Sequence, residues 1–145
     1  VKGEPYVIEY NVRMGDPETE VVLPRLESDL LEELEKAADE NMGSSPLSFS
    51  SDYCTTVMAV SEGYPASYEK GKEISGLQNL EDQECVAFHA GTKLQDGKVL
   101  TSGGRVIALT ARGKSQEEAL ERSYKAAKTI CFDGIVYRTD IGYDL

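Results

Sequence analysis

Three polar side chains occupy alternate positions in the run Tyr6–Met14 (YVIEYNVRM), close to the start of the chain. Glu9, Asn11 and Arg13 alternate with apolar residues, and this period-2 pattern predicts a half-buried strand. Residues two apart on a strand share a face and lie roughly 6.5–7 Å apart. We therefore expect a carboxylate, an amide and a guanidinium to point in the same direction.

Such a trio suits a site that holds a divalent cation and a phosphoryl group. Mg²⁺ takes hard oxygen ligands, commonly one or two carboxylates completed by water and phosphates, and the Glu9 carboxylate and Asn11 carbonyl oxygen have this chemistry. Arg13 is suited to hold a phosphoryl oxygen and to offset charge that develops during phosphoryl transfer. The competing interpretation is a solvent-facing strand with a surface salt bridge worth less than about 1 kcal/mol.

The next six residues, 15–20 (GDPETE), predict a turn followed by an acidic helix start. Asp16 is the expected N-cap and Pro17 the first helical residue. Glu18 and Glu20 would complement the positive end of the helix dipole. That structural role explains the acids but does not explain the arginine and glycine that precede them.

The elements that must position these residues follow from periodicity and capping signals. We expect a short helix over Glu18–Leu26, a second amphipathic helix over about Ser28–Asn41, and a loop over the polar stretch Asp39–Asp52. Beyond the loop, the predicted strands Cys85–Ala90 and Lys98–Thr101 flank the Asp96-Gly97 dipeptide, which favours a two-residue hairpin turn.

The second region is expected to be α+β, mostly antiparallel, with its helices on one side. Ser115 and Glu118 form a capping box that opens a helix through about Thr129. A short helix is predicted over Pro65–Lys70. The other predicted strands are Thr55–Ser61, Arg105–Thr110 and Ile135–Tyr137.

Charge and composition exclude several classes of function. The 145 residues carry a net charge of −11, and residues 1–53 hold 13 acidic but only 4 basic side chains. This balance argues against nucleic acid and against an anionic membrane surface as partners. No window approaches the roughly 20 apolar residues of a membrane span.

Cys54, Cys85 and Cys131 are widely spaced, which suits a reducing compartment. The sequence also carries no visible targeting signal, so we expect a cytoplasmic protein.

The run EYNVRMGDPETE, Glu9–Glu20, resembles the signature of the phosphoribosylamine–glycine ligases, also called glycinamide ribonucleotide synthetases. These are ATP-grasp enzymes of purine biosynthesis. The R-x-G-D-P-E-T part is specific to this ligase, whereas E-x-N marks only the ATP-grasp superfamily. Further segments are similar to the family, in order: Pro24-Arg25-Leu26, Ser28-Asp29-Leu30, Gly63-Tyr64-Pro65, Phe88–Thr92, Gly103–Val106 and Tyr137–Gly142.

The resemblance implies a fold and a division of the chain. Residues 1–43 would be the carboxy-terminal end of the ATP-grasp core, a strand plus helices, and residues 44–145 the carboxy-terminal α+β domain. The family's enzymes are about three times as long. The remaining part carries the amino-terminal domain, the lid over ATP and most contacts to glycine and the ribose phosphate, so we expect no activity from this piece alone.

The resemblance also implies a reaction and roles for individual residues. The complete enzyme joins 5-phosphoribosylamine to glycine through a glycyl phosphate, with ATP as substrate and Mg²⁺ (or Mn²⁺) as cofactor. Glu9 and Asn11 match its metal ligands, and Arg13 matches the arginine near the transferred phosphoryl group. The signature loop on the substrate side is matched by Asp16, Glu18 and Thr19.

Two other residues and two other functions stay open. Arg105 is a candidate to face the cleft between the two regions, and His89, the only histidine, is interpreted as a structural or surface residue. Gly103-Gly104 could allow close backbone approach to a ligand or only shape a hairpin. The alternative functions are part of another ATP-grasp carboxylase or ligase of nucleotide metabolism, and a non-catalytic acidic interaction module.

Overall fold

The computed structural model describes residues 3–43, 46–80 and 84–143. Its helices are α1 (Thr19–Val22), α2 (Leu30–Ala38) and α3 (Gln116–Thr129), with 3₁₀ turns at Leu23–Arg25 and Leu77–Asn79. Its strands are β1 (Tyr53–Ser61), β2 (Cys85–His89), β3 (Thr92–Gln95), β4 (Lys98–Thr101), β5 (Arg105–Gly113) and β6 (Ile135–Val136). Strands β2, β5, β1 and β6 form an antiparallel sheet in that order, and β3 pairs with β4 in a separate hairpin.

Strand β5 lies inside the sheet and is buried over almost its whole length. Its sequence, RVIALTARG, carries apolar residues at consecutive positions, which is typical of a strand covered on both faces. Ile107 and Leu109 are fully buried in one cluster with Ala126 and Ala127 of α3. Burying each of the two larger side chains stabilises the fold by about 1.5–3 kcal/mol.

Helix α3 begins with the predicted capping box. The Ser115 side chain accepts a hydrogen bond from the Glu118 N–H at 3.2 Å. The Glu118 carboxylate accepts in turn from the Lys114 N–H at 2.6 Å, one residue before the position that the motif usually bonds. The predicted start of this helix is therefore confirmed. The antiparallel sheet described above and the packing of α3 against it confirm the predicted α+β class as well.

The hairpin turn at Asp96-Gly97 is also confirmed. Both residues have positive φ, 51° and 75°, as a two-residue turn of this type requires. The predicted strand before the turn is wrong, because the turn joins β3 to β4, whereas the residues predicted as the strand Cys85–Ala90 form β2 and pair with β5.

Two predicted elements are wrong because tertiary hydrogen bonds or missing partners decide the backbone. Residues 65–70 are not helical, since the adjoining chain is held by Gly71 N–H donating to Thr101 O and Ile74 N–H donating to Val99 O. Residues 6–14 form no strand, because within the described ranges no neighbouring strand pairs with them. Ile8 and Val12 are each 97% exposed.

The amino-terminal helices are shorter than predicted. Helix α1 gives way to a 3₁₀ turn at Leu23, and α2 covers only Leu30–Ala38, with Asp29 as N-cap accepting from the Leu31 N–H at 2.9 Å. The predicted loop is irregular where described, apart from a bridge between Leu26 and Phe49, and residues 44 and 45 of that loop lie outside the described residues.

None of the helices described here combines the length and apolar character needed to span a membrane. The boundary between residues 43 and 44 stays a prediction.

The three cysteines differ in burial, and this predicts different reactivity. Burial raises the pKa of the half-buried Cys85 thiol to about 11, whereas Cys131 is exposed. Because the thiolate is the nucleophile, iodoacetamide at about pH 8 should modify Cys131 first and Cys85 last. Peptide mass spectrometry over a time course measures the order. In urea the three rates should converge, and a native Cys85 that reacts as fast as Cys131 would contradict the assignment.

The same shift makes stability depend on alkaline pH. The folded-state pKa lies above the unfolded value of about 8.5, so the stabilisation is present below about pH 8.5 and is lost as the pH rises toward about 11. Urea unfolding at several alkaline pH values should show a smaller loss of stability for Cys85→Ala than for the unmodified chain.

Candidate functional site

A surface cleft of about 410 Å³ collects all six candidate residues of the sequence analysis. We call it the polar cleft. The residues that line it are Glu9, Asn11, Arg13, Met14, Gly15, Asp16, Glu18, Thr19 and Arg105. The first eight come from one continuous segment, whereas the last lies at the start of β5. The cleft therefore lies between the amino-terminal segment and the part of the chain that contains the four-stranded sheet and α3, residues 53–136, which we call the sheet domain.

Glu9 and Asn11 lie side by side although they are not on a strand. The Asn11 side-chain amide donates to the Glu9 carboxylate, with 3.4 Å between Nδ2 and Oε1. Arg13 follows on the same exposed segment, and its Nη1 donates to the Met14 carbonyl oxygen at 3.0 Å. The grouping expected from spacing is thus present, with an irregular backbone in place of the strand.

This donor set fits a Mg²⁺ ion that takes its remaining ligands from phosphates and water. One carboxylate and one amide oxygen are the number and type of protein ligands that such sites use. Within residues 3–43, 46–80 and 84–143, no cluster of three or more His, Cys, Asp and Glu side chains could hold a metal ion without other ligands. Glu9 and Asn11 could therefore hold the ion only together with ligands from elsewhere.

The turn after Met14 is closed by short bonds within the segment itself. The Gly15 carbonyl oxygen accepts from the Thr19 N–H at 3.0 Å and from the Thr19 hydroxyl at 2.5 Å. A Cβ at position 15 would overlap the Glu18 carboxylate. Because these atoms are the end of a flexible side chain, a larger residue at position 15 would require the Glu18 carboxylate to move away from the turn.

The prediction that Asp16 is the N-cap of α1 is wrong, because the Asp16 side chain bonds to Arg105 of the sheet domain instead. Arg105 Nη2 donates to Asp16 Oδ2 at 2.8 Å, and Nη1 donates to the Asp16 carbonyl oxygen at 3.0 Å. Helix α1 starts at Thr19 after Glu18, which gives no side-chain cap. The pair joins residues 89 positions apart and closes one side of the polar cleft.

Glycines behind Arg105 permit close packing of the backbone. A Cβ on Gly103 would contact Gly91 at 2.9 Å, and a Cβ on Gly104 would overlap the ring of Tyr64. The Gly103-Gly104 pair therefore shapes the protein's own backbone approach. His89 is exposed, is not among the cleft residues, and bonds through Nδ1 to Thr92 Oγ1 at 2.9 Å, in keeping with a structural or surface role.

Glu20 adds a buried polar atom near this segment. Its Oε2 is buried and has no hydrogen-bond partner among the described residues. An unsatisfied buried acceptor costs about 1–3 kcal/mol, so an additional donor at this position would stabilise the segment. The sequence pattern assigned Glu20 only to the helix dipole and gave no indication of its burial.

Comparison with known proteins assigns the chain to a family. Residues 54–144 match the family model described as phosphoribosylglycinamide synthetase, C domain. The chain is 46% identical over 142 residues to phosphoribosylamine–glycine ligase of Synechocystis sp., which covers 97% of the chain and 34% of that protein. It is 45% identical to the trifunctional purine biosynthetic protein adenosine-3 of Gallus gallus, over 98% of the chain and 14% of that protein.

A solved structure agrees. The fold matches the crystal structure of phosphoribosylamine–glycine ligase from Thermotoga maritima with a TM-score of 0.76 and 37% identity, over 95% of this chain and 34% of that one. The chain belongs to the phosphoribosylglycinamide synthetase family, as the resemblance implied. It spans about one third of the length of the Synechocystis and Thermotoga ligases that it matches.

The packing of Tyr64 on Gly104 predicts a size limit at position 104. Gly104→Ala should destabilise the chain by about 1–3 kcal/mol, because the added methyl overlaps the Tyr64 ring. Urea denaturation measures the change. In a Tyr64→Ala background the same substitution should cost less, because the overlapping ring is then absent. Full stability of Gly104→Ala would refute this account.

Proposed function

We propose that this chain contributes the signature side of the active site in a phosphoribosylamine–glycine ligase. The complete enzyme would join 5-phosphoribosylamine and glycine to give glycinamide ribonucleotide, with cleavage of ATP to ADP and phosphate. The observation that carries the proposal is the meeting of Glu9, Asn11, Arg13 and the 16–19 turn in one cleft, in a member of this family. The activity would require the other domains of the ligase.

Glu9 and Asn11 are the proposed metal-holding pair. A Mg²⁺ (or Mn²⁺) ion bound there with ATP would neutralise part of the phosphate charge. The chain's own contribution is to keep a carboxylate and an amide adjacent on an exposed segment, where phosphate oxygens can complete the ligand set.

Arg13 is the proposed catalytic residue. Its guanidinium is exposed and, within the described part of the chain, bonds to the neighbouring Met14 carbonyl oxygen through Nη1, so its other donors can face the cleft. A guanidinium in this position would orient the transferred phosphoryl group and offset the charge that develops as a glycyl phosphate forms.

Asp16, Glu18 and Thr19 are the proposed substrate-binding residues. The Glu18 carboxylate is exposed and lies over Gly15, and such an anion suits the amino group of glycine or of the ribosylamine. Asp16 is held by Arg105, and the Thr19 hydroxyl donates to Gly15 and fixes the turn. A cytoplasmic location, proposed from the isolated cysteines, would suit enzymes of nucleotide synthesis.

The reaction itself can be tested in the complete enzyme that contains this chain. ATP hydrolysis should require both glycine and 5-phosphoribosylamine, and mass spectrometry should detect glycinamide ribonucleotide. The isolated 145-residue chain should show no turnover. Hydrolysis that proceeds with a different acceptor and ignores glycine would favour another ATP-grasp ligase. No ATP hydrolysis under any of these conditions would favour the interaction module.

The metal-holding pair predicts a loss of activity without a loss of fold. In the complete enzyme, Glu9→Ala should lower kcat by about 10²-fold or more and Asn11→Ala by about 10-fold, because charge stabilisation near the phosphates is lost. Turnover against Mg²⁺ concentration and the melting temperature measure both effects. Glu35→Ala, which removes an exposed acid from α2, should behave like the unmodified enzyme. Unchanged turnover of Glu9→Ala at saturating Mg²⁺ would exclude the assignment.

A further inference from the structure

A β-bulge in β5 places two distant arginines on the same face of the sheet. Val60 of β1 pairs with Arg105, but the residue before it, Ala59, pairs with Ile107, so β5 has one extra residue, Val106, at this point. Arg105 and Arg112 are seven positions apart and would point to opposite faces of a regular strand. With the extra residue they share a face. Their partners in the register, Val60 and Cys54, are six positions apart and share a face as well.

This shared face is the one opposite α3. The other face carries Thr55 and Val57 of β1, and Thr55 bonds to Ser123 of α3 at 2.7 Å. Both residues have the opposite parity to Cys54 and Val60, so the two arginines project away from α3. The side of the sheet that α3 leaves uncovered is thus provided with two long cationic side chains.

Both arginines bond to the same stretch of chain, residues 16–24. Arg105 donates to the carboxylate and the carbonyl oxygen of Asp16, at 2.8 and 3.0 Å. Arg112 donates to the Pro24 carbonyl oxygen at 3.3 Å. The stretch between these ends contains the proposed substrate-binding turn and α1. It is therefore attached to β5 at both ends.

The two sides of this attachment differ in where their backbone hydrogen bonds are made. Arg105 belongs to an inner strand, where its carbonyl oxygen accepts from the Gly91 N–H at 2.8 Å and the preceding Gly104 carbonyl accepts from the Ser61 N–H at 2.8 Å. In residues 15–20, by contrast, the backbone N–H groups of Thr19 and Glu20 donate to the carbonyl oxygens of Gly15 and Pro17, within the same short segment. Those internal bonds shape the turn but do not fix its position on the domain.

We propose that Arg105 is a positioning residue, by which the sheet domain fixes the turn of residues 15–19, which we call the signature turn, in its place beside the polar cleft. Its catalytic consequence rests on the function proposed above, since Asp16, Glu18 and Thr19 are there assigned to the substrate side. Arg105 acts through Asp16 and Arg112 secures the far end of the same stretch. The bulge is what allows one strand to do both.

The first experiment needs only the 145-residue chain. Hydrogen exchange should be about 3- to 10-fold faster at the amides of residues 19–22 in Arg105→Ala, as expected for the loss of a two-bond ion pair. Arg105→Lys, which keeps the charge but not the fork, should lie between. Asp16→Asn should change less than Arg105→Ala, because the carbonyl contact and a side-chain oxygen remain. The Arg105→Ala/Asp16→Asn double variant should match Arg105→Ala.

A matched control is available in the same chain. Arg138 also makes two bonds to one aspartate, to Asp140 at 2.8 and 3.0 Å, but the two residues are only two positions apart. Arg138→Ala should leave exchange at residues 19–22 unchanged. Melting temperatures and far-UV circular dichroism of each variant distinguish a local from a global effect. Equal exchange in Arg105→Ala, Arg105→Lys and the unmodified chain would overturn the proposal.

The second experiment uses the complete enzyme and measures KM separately from kcat. Arg105→Ala should raise KM for glycine or for 5-phosphoribosylamine by about 10-fold or more while KM for ATP stays within about 2-fold, and Arg105→Lys should recover part of the loss. A variant that merely unfolds in part would lower kcat and leave every KM unchanged. Faster exchange at 19–22 with all KM values unchanged would overturn the positioning role.

The two proposals fail in different ways. If the unmodified enzyme shows no glycine-dependent ATP hydrolysis, the proposed function fails, and the exchange measurement on the 145-residue chain still decides whether Arg105 holds the turn. If the unmodified enzyme is active but Arg105→Ala changes neither exchange nor any KM, the function stands and the positioning role is wrong.

Discussion

The rest of this structure depends on one constraint, the fixed position of strand β5. This strand pairs with a neighbour on each edge and is buried on both faces. Because β1 and β2 hydrogen-bond to its two sides, β5 cannot shift without breaking both ladders. The cluster around Ile107 and Leu109 ties α3 to one face. On the opposite face the two arginines reach the stretch that carries the signature turn. One strand thus connects the hydrophobic core to the polar cleft.

The ion pair between Arg105 and Asp16 also offsets part of the negative charge of the amino-terminal segment. Residues 1–53 carry most of the net charge of −11, and several of these acids lie in or beside the polar cleft. Uncompensated, they would repel one another at the short distances of a turn. Arg105 offsets one of them, Asp16, while Glu9 and Glu18 remain exposed to the cleft. The polar cleft is thus acidic along the amino-terminal segment and is bordered on the other side by the Arg105 guanidinium.

The sequence predicted the elements whose signals are local. The capping box at Ser115 and the turn at Asp96-Gly97 depend on neighbouring residues alone, and both formed as expected. Residues 6–14 alternate between apolar and polar side chains, but the predicted strand is wrong, because a strand also needs a partner for its backbone hydrogen bonds and none of the described residues supplies one. The predicted short helix at 65–70 does not form, because one isolated turn of helix has little stability of its own. The residues that follow it bond to β4 instead, through Gly71 N–H to Thr101 O and Ile74 N–H to Val99 O.

By itself the sequence determined the chemistry of the candidate site, since the types and order of residues 9–20 specify a carboxylate, an amide, a guanidinium and an acidic turn, and these also indicated the family. Only the tertiary structure decided that Arg105 completes the cleft, that Asp16 bonds to it instead of capping α1, and that Tyr64 lies on Gly104. The physical reason is separation along the chain: Arg105 is 89 residues from Asp16. The direction of the Arg105 side chain is set by a one-residue change of register between β1 and β5, and no local sequence pattern encodes that change.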